Sequence, residues 1–295
     1  MSRLARYLFL FFSCTTLIAC SDREPNLSAE NAAPASATRI VTLSPHLAEL
    51  MFAIDADDLL VGVSAYSDYP LEATELPVIG DAFNIDQEQL TILEPDLLLA
   101  WETGTPAHVV DDLSARGFRV EVIQTKGLAG VPFALRTLGE LTDHQVSANA
   151  AANSFEDELQ ALAEESLELS PISVFYQVDA RPLYTINGDH YISELIETCG
   201  GINIFSDLDG LAPLVSVEAV LEREPEILLA SSDAGPNAFV EWERWADIAA
   251  NKYGNRFLMP ANEIGRPTPR LLIAARAVCN ALAEGRVNRE KYQRD

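Results

Sequence analysis

One stretch of this chain occurs twice. Residues 88–100 read Glu88-Gln-Leu-Thr-Ile-Leu-Glu-Pro95-Asp96-Leu-Leu-Leu-Ala100, and residues 218–230 read Glu218-Ala-Val-Leu-Glu-Arg-Glu-Pro225-Glu226-Ile-Leu-Leu-Ala230. Each copy predicts a short amphipathic helix, a proline stop, an acidic residue and a buried apolar strand. A capping residue stands before each helix, Asp86 in the first and Ser216 in the second. Two copies so far apart predict two lobes of similar design, with one glutamate at the same place on each. Two-lobed proteins commonly take a ligand in the cleft between lobes. A matched pair of glutamates, Glu88 and Glu218, suits a partner that is itself two-fold symmetric.

The remaining pattern extends this plan. Arg39–Leu43 reads as a strand, and Ser44-Pro45 opens a helix to about Ala53, with serine as N-cap and proline at the first helical position. Strands are predicted at 60–63 and 119–123, with a helix near 105–116. That alternation implies a mainly parallel sheet. Apolar residues at Val146, Ala150, Phe155, Leu159, Leu162 and Leu167 keep helical spacing for several turns, predicting a long helix over 143–169. After it come strands at 172–176, 227–230 and 256–259, and helices near 191–198, 237–250 and 268–284. The fold class is therefore α/β: two Rossmann-like lobes, 39–142 and 170–287, joined by one bridging helix, with a tail at 288–295. Ligands of parallel sheets sit at the carboxyl ends of strands, where Tyr66, Trp101, Val178 and the 260–266 loop fall.

Charge and cysteines narrow the function. A formal net charge of −25 argues against nucleic-acid binding, which needs lysine and arginine against phosphates, and against a broad face for anionic lipid. Arg3 and Arg6 precede an apolar run from Leu8 to Ala19, too short to span a bilayer. With Leu17-Ile-Ala-Cys20 it resembles a bacterial lipoprotein signal. On that reading 1–19 is removed, Cys20 carries lipid, the chain is periplasmic and membrane-anchored, and 20–38 is a flexible tether. Cys199 and Cys279 then remain. An oxidising compartment favours a disulfide between them, closing a loop of about 80 residues; two buried thiols are the alternative.

Several strings together resemble a known family: Arg39–Pro45, Val61–Pro70, Glu94–Trp101, Cys199–Phe205 and the stretch from Pro269 to Leu282. They are similar to the siderophore, haem and cobalamin group of periplasmic substrate-binding proteins of ABC importers, and within it to the cobalamin binders. The resemblance implies the class III fold of that group: two lobes on one rigid helix, a ligand in the cleft and little closure. It implies a disulfide between Cys199 and Cys279, and docking of Glu88 and Glu218 onto arginines of a permease dimer that works with ATPase subunits. Both glutamates also suit helix N-termini, worth about 0.3–1 kcal/mol each. Tyr66 and Trp101 match aromatic cleft residues, Phe83 lies near a third, and Arg266 matches a cleft arginine. Val178 and Ala212 stand where the cobalamin binders carry aromatics, and Asn262 where they carry an aspartate.

The expected protein is a monomeric, non-catalytic binding subunit with no resident cofactor and no bound metal, whose transported ligand is a corrinoid. Haem or ferric-siderophore binding is the alternative within the group. A metal-ion binder would need about three to four His, Asp or Glu ligands in the cleft, for which His46 and His190 are the candidates. An exported enzyme finds no support, since no nucleophile elbow, phosphate loop or His-Glu-x-x-His helix is present.

Overall fold

The computed structural model describes residues 36–81 and 83–294. The expected signal segment, Cys20 and most of the tether lie outside the described residues. The first lobe carries strands β1 (Ile40–Thr42), β2 (Leu60–Gly62), β3 (Leu97–Trp101) and β4 (Val120–Ile123) in the order β2-β1-β3-β4, all parallel. Helices α1 (Pro45–Ala53), α2 (Gln87–Leu93), α3 (Ala107–Ala115) and α4 (Gly130–Thr142) connect and follow them. Helix α5 (Gln145–Ser166) then leads to β5 (Ile172–Gln177), the small antiparallel pair β6 (Asp179–Ala180) and β7 (Leu183–Tyr184), α6 (Tyr191–Thr198) and β8 (Gly201–Asn203). Helix α7 (Val217–Glu222), β9 (Ile227–Ser231), α8 (Ala249–Tyr253), β10 (Arg256–Met259), α9 (Ala261–Gly265) and α10 (Leu271–Arg294) complete the chain. The second sheet runs β8-β5-β9-β10, again parallel, so both lobes share one strand order.

The sequence repeat is a structural repeat in detail. Asp86 accepts the Gln89 amide at 2.9 Å and Ser216 accepts that of Ala219 at 3.2 Å, so each copy begins on a capped turn. After each helix a left-handed residue stands directly before the proline, Glu94 (φ 45°) and Glu224 (φ 44°). The acidic residue after the proline has a purpose that its pattern alone did not show. Asp96 accepts amide hydrogen bonds from Thr38 and Arg39 beside β1, and Glu226 accepts that of Ser173 in β5 at 2.9 Å. Each carboxylate staples the leading strand of its own sheet. Burial pushes the Asp96 carboxyl up, but the amides of Thr38 and Arg39 outweigh it and hold it below the usual carboxylate range.

Alternate residues of the strands point to opposite faces. Leu97 and Leu99 of β3, and Ile227 and Leu229 of β9, face a core shared by both lobes. Leu98 and Ala100 face an outer cluster with Leu90 and Leu113, and Leu228 one with Phe175 and Trp242. The shared core passes through α5, whose Ala148, Ala152, Phe155 and Leu162 are buried. The buried stripe thus includes two alanines, while Val146 and Leu167, two of the apolar residues that mark the helical spacing in the sequence, are exposed.

Three other expectations change. The helix expected at 237–250 is a 3-10 turn, Val240–Trp242, followed by the short α8. Asn251 donates to the carbonyls of Trp242 and Trp245, holding that chain in turns while Trp242 fills the outer core. The last helix runs to Arg294, not to about 284, because Arg286 donates to the carbonyls of Ser170 and Gly200, and Arg289 pairs with Glu226 at 2.9 Å. The end of the expected tether is fixed, with Ala37 buried and its amide donating to Leu141 O. Cys199, at the end of α6, and Cys279, in α10, are joined by a disulfide. Among the described residues no helix is long and apolar enough to cross a membrane.

Candidate functional site

The carboxyl ends of the two sheets open onto an interlobe cleft. Its first-lobe wall is aromatic. Trp101, the last residue of β3, is held on three sides. Its amide donates to Thr105 Oγ1 at 3.0 Å, its indole N–H donates to Thr125 Oγ1 at 3.2 Å, and the His46 ring meets it edge-on with centroids 4.7 Å apart. Gly104 completes the seat. A Cβ there would stand 2.0 Å from Trp101 Cε3, so only glycine leaves room for the indole. Burial, with Arg266 adding, lowers His46 to about 3, so at neutral pH an uncharged imidazole meets the tryptophan.

Tyr66 and Phe83 come from loops that force them outward. Tyr66 adopts φ 67°, a left-handed conformation that costs a non-glycine residue on the order of 1 kcal/mol. Arg266 Nη2 donates to its carbonyl at 3.2 Å, holding that turn. Asp81 Oδ1 accepts the amides of Phe83 and Asn84 at 2.9 and 2.8 Å, and the resulting turn leaves Phe83 72% exposed. Tyr66 is 80% exposed. Neither ring is spent on the core, and exposed aromatics grouped in a concavity mark a ligand surface. Tyr66, Phe83 and Trp101 line one cavity of about 430 Å³ with Ser44, Pro45 and Thr105.

A second cavity of about 350 Å³ spans the lobes. Trp101, Thr125 and Lys126 contribute from the first lobe, and Asp189, His190, Tyr191, Leu211 and Ala212 from the second. Trp101 lines both cavities, so the two adjoin at its side chain. The second-lobe wall is mixed, with Leu211 and Ala212 beside Asp189, His190 and Tyr191; Leu214 and Val178, just after β5, are exposed outside it. Of the sequence candidates, Tyr66, Phe83 and Trp101 line the first cavity, and Trp101 and Ala212 the second. Val178 and Asn262 are exposed but line neither cavity.

Arg266 has a different setting from the one expected. Its Nη1 donates to Glu49 Oε1 at 2.7 Å and to Asp68 Oδ1 at 2.6 Å. Arg270 Nη1 also reaches Glu49 Oε1, at 3.3 Å, and Thr268 donates to Oε2 at 3.1 Å. Arg270 further pairs with Glu263 and lies over the Tyr69 ring at 3.8 Å. Glu49 belongs to α1 and the arginines follow β10, so this buried carboxylate ties the lobes together. Hydrogen bonds from Arg266 to Asp68 and Glu49 overcome its burial and raise its pKa. Glu194 of α6 makes a second tie, accepting the Leu128 amide at 2.7 Å. Glu49 and Glu194 were not singled out from the sequence. The available signal was a carboxylate amid the apolar residues of α1, which needs a cationic partner when buried.

Glu88 and Glu218 are both exposed at the second position of their short helices. The Glu218 carboxyl is held below its ordinary range by its own amide and the Ser216 hydroxyl. His190 caps α6, accepting the Ile192 amide, and burial lowers its pKa to about 4. Among the described residues, no three His, Cys, Asp or Glu side chains come together as a metal-ligand set.

Residues 40–263 match the periplasmic binding protein family. The chain is 35% identical over 269 residues to a vitamin B12-binding protein of Vibrio cholerae, covering 90% of this chain and 96% of that one. It is 33% identical over 262 residues to the vitamin B12-binding protein of Pectobacterium atrosepticum, covering 86% and 91%. The crystal structure of the periplasmic vitamin B12 binding protein of Vibrio cholerae superposes with a TM-score of 0.77 at 34% identity, over 85% of this chain and 98% of that one. A periplasmic heme-binding protein of Roseiflexus superposes at 0.74 with 21% identity over 85% and 99%, a likeness of fold alone.

Proposed function

This chain belongs to the periplasmic binding protein family, and on that premise we propose that it is the substrate-binding subunit of an ABC importer that captures cobalamin or a related corrinoid. The observation that carries the reading is the wall of Tyr66, Phe83 and Trp101 around one cavity, in a chain similar along nearly its whole length to vitamin B12-binding proteins. Aromatic walls hold a large macrocycle well, since they bring contact area at little entropic cost. Leu211 and Ala212 stand on the second-lobe side, which accommodates the projecting groups of the ligand, with the exposed Val178 outside the cavity. Arg266 acts through Tyr66, whose carbonyl it holds, as much as through the ligand.

The protein works in the periplasm, tethered through lipidated Cys20. Glu88 and Glu218, at equivalent places on the repeat, dock on a two-fold permease whose ATPase subunits supply the energy. The chain itself binds and releases its ligand unchanged, as a monomer. Calorimetric titration of the purified protein with cyanocobalamin, cobinamide and haem tests the reading. Tight one-to-one binding of a corrinoid is expected. Binding of haem with no corrinoid bound would keep the importer role and overturn the ligand.

A further inference from the structure

The cavity between the lobes carries one charge of each sign. Lys126 follows β4 in the first lobe, and Asp189 precedes α6 in the second. Among the described residues neither enters an ion pair, whereas the two arginines near the cleft are committed to Glu49, Asp68 and Glu263. His190, beside Asp189, is uncharged at neutral pH because burial lowers its pKa. The charge of this cavity is therefore set by Lys126 and Asp189.

Their placement is built. Gly127, next to Lys126, has φ +66°, and a Cβ there would stand 2.6 Å from Glu194 Oε1. Glu194 accepts the Leu128 amide at 2.7 Å. The loop that carries Lys126 is thus pinned to the first turn of the helix that Asp189 precedes. Asp189 is fixed in turn by its amide, which donates to Asn187 Oδ1 at 3.1 Å. Thr125 adds a hydroxyl that already accepts the Trp101 indole N–H, so its own proton remains available to a ligand acceptor.

We infer that Lys126 and Asp189 form a subsite for a neutral primary carboxamide on the rim of the macrocycle, and that this pair selects amide-rimmed over carboxylate-rimmed ligands. This rests on the corrinoid reading above and deepens it. A carboxamide presents a carbonyl acceptor and an NH2 donor. Lys126 donates to the first and Asp189 accepts from the second. A carboxylate at the same place meets Lys126 favourably but has no proton for Asp189, and two carboxylates side by side repel. Specificity here comes from the group that rejects the wrong ligand as much as from the one that welcomes the right one.

The test is titration of the purified full chain with cobinamide, whose rim groups are amides, and with cobyrinic acid, the same ring rimmed by carboxylates. Cobinamide is expected to bind at least tenfold more tightly. Asp189→Asn should shrink that ratio several-fold, mainly by improving cobyrinic acid. Lys126→Met should weaken both ligands and cobyrinic acid more. Circular dichroism melts of both variants, unchanged from the parent, show that the fold is intact. Equal binding of the two ligands by the parent, or a ratio unmoved by Asp189→Asn, overturns the subsite while leaving the corrinoid reading in place. Failure of both ligands to bind overturns both readings.

Discussion

Glu49 Oε1 accepts a hydrogen bond from Arg266 Nη1 at 2.7 Å, joining a helix of the first lobe to a loop of the second across 217 residues of chain. The carboxylate's side chain is 2% exposed, and Arg270 and Thr268 share it. Because Arg266 also holds the Tyr66 carbonyl, the tie sets both the spacing of the lobes and the pose of one aromatic wall. Together with the core that runs through α5, it makes the cleft a largely preformed one.

Removing one member of a buried ion group leaves the others unpaired, which costs about 3–5 kcal/mol. Glu49→Ala should lower the unfolding free energy by about that amount in a denaturant melt. Glu49→Gln, which keeps the volume and some hydrogen bonds, should cost less. Equal stability of Glu49→Ala and the parent would show that the two arginines find other partners.

The seat of Trp101 depends on Gly104. Gly104→Ala places a methyl group where the indole lies, so the ring must leave its contacts with Thr125 and His46. Ligand affinity should fall at least tenfold, about 1.4 kcal/mol, while the far-ultraviolet spectrum stays unchanged. Unaltered affinity would mean that the ligand does not rest on Trp101.

Acid should destabilise the protein well above the range where its carboxylates titrate. His46 and His190 are lowered by burial from 6.5 to about 3 and about 4. In the unfolded chain each takes up a proton near pH 6.5, which the folded state refuses until those lower values. The stability they contribute is present above pH 6.5 and is lost as pH falls toward 4 and then 3, by on the order of a few kcal/mol. Urea melts between pH 7.5 and 4.5 measure this, and His46→Gln should flatten the slope.

The bond between Cys199 and Cys279 closes a loop of 80 residues and pins α10 to the end of α6. Changing both to serine should cost about 2–5 kcal/mol, through the greater freedom of the unfolded chain. Ligand affinity should survive, since neither residue lines the cleft cavities. A melt of the oxidised protein against one reduced with dithiothreitol gives the same comparison without mutation.

Glu88→Ala and Glu218→Ala remove exposed carboxylates from capped helix starts without touching the cleft. Each should reduce transport in a reconstituted importer and leave ligand affinity within about twofold, less than about 0.4 kcal/mol. Transport at the parent rate in both variants would end the docking assignment.

The two-lobed α/β plan was legible because its signals are local. Helix caps at Asp86 and Ser216, proline stops at Pro95 and Pro225, and apolar runs such as Leu97–Ala100 mark element ends within a few residues of chain. The resemblance to a binding-protein family rests on equally local strings, such as Val61–Pro70 and Glu94–Trp101. Where local signals mislead, a distant contact wins. Residues 237–250 have helical composition, yet Trp242 is drawn into the outer core and Asn251 caps the turns that result. The continuation of α10 to Arg294 was equally hidden, since it depends on backbone carbonyls 86 to 118 residues away.

The site divides the same way. The sequence by itself determined which residues are aromatic, charged or able to cap, and so where strands end and Tyr66 and Trp101 emerge. It could not determine what those residues face, because facing depends on chain segments up to about 220 residues apart in sequence. Only the tertiary structure decided that Arg266 is spent on Glu49, Asp68 and the Tyr66 carbonyl, that Gly104 makes room for the indole, and that Lys126 and Asp189 share one cavity. A buried charge must find its counter-charge wherever the fold provides one, and that pairing is a property of space, not of sequence spacing.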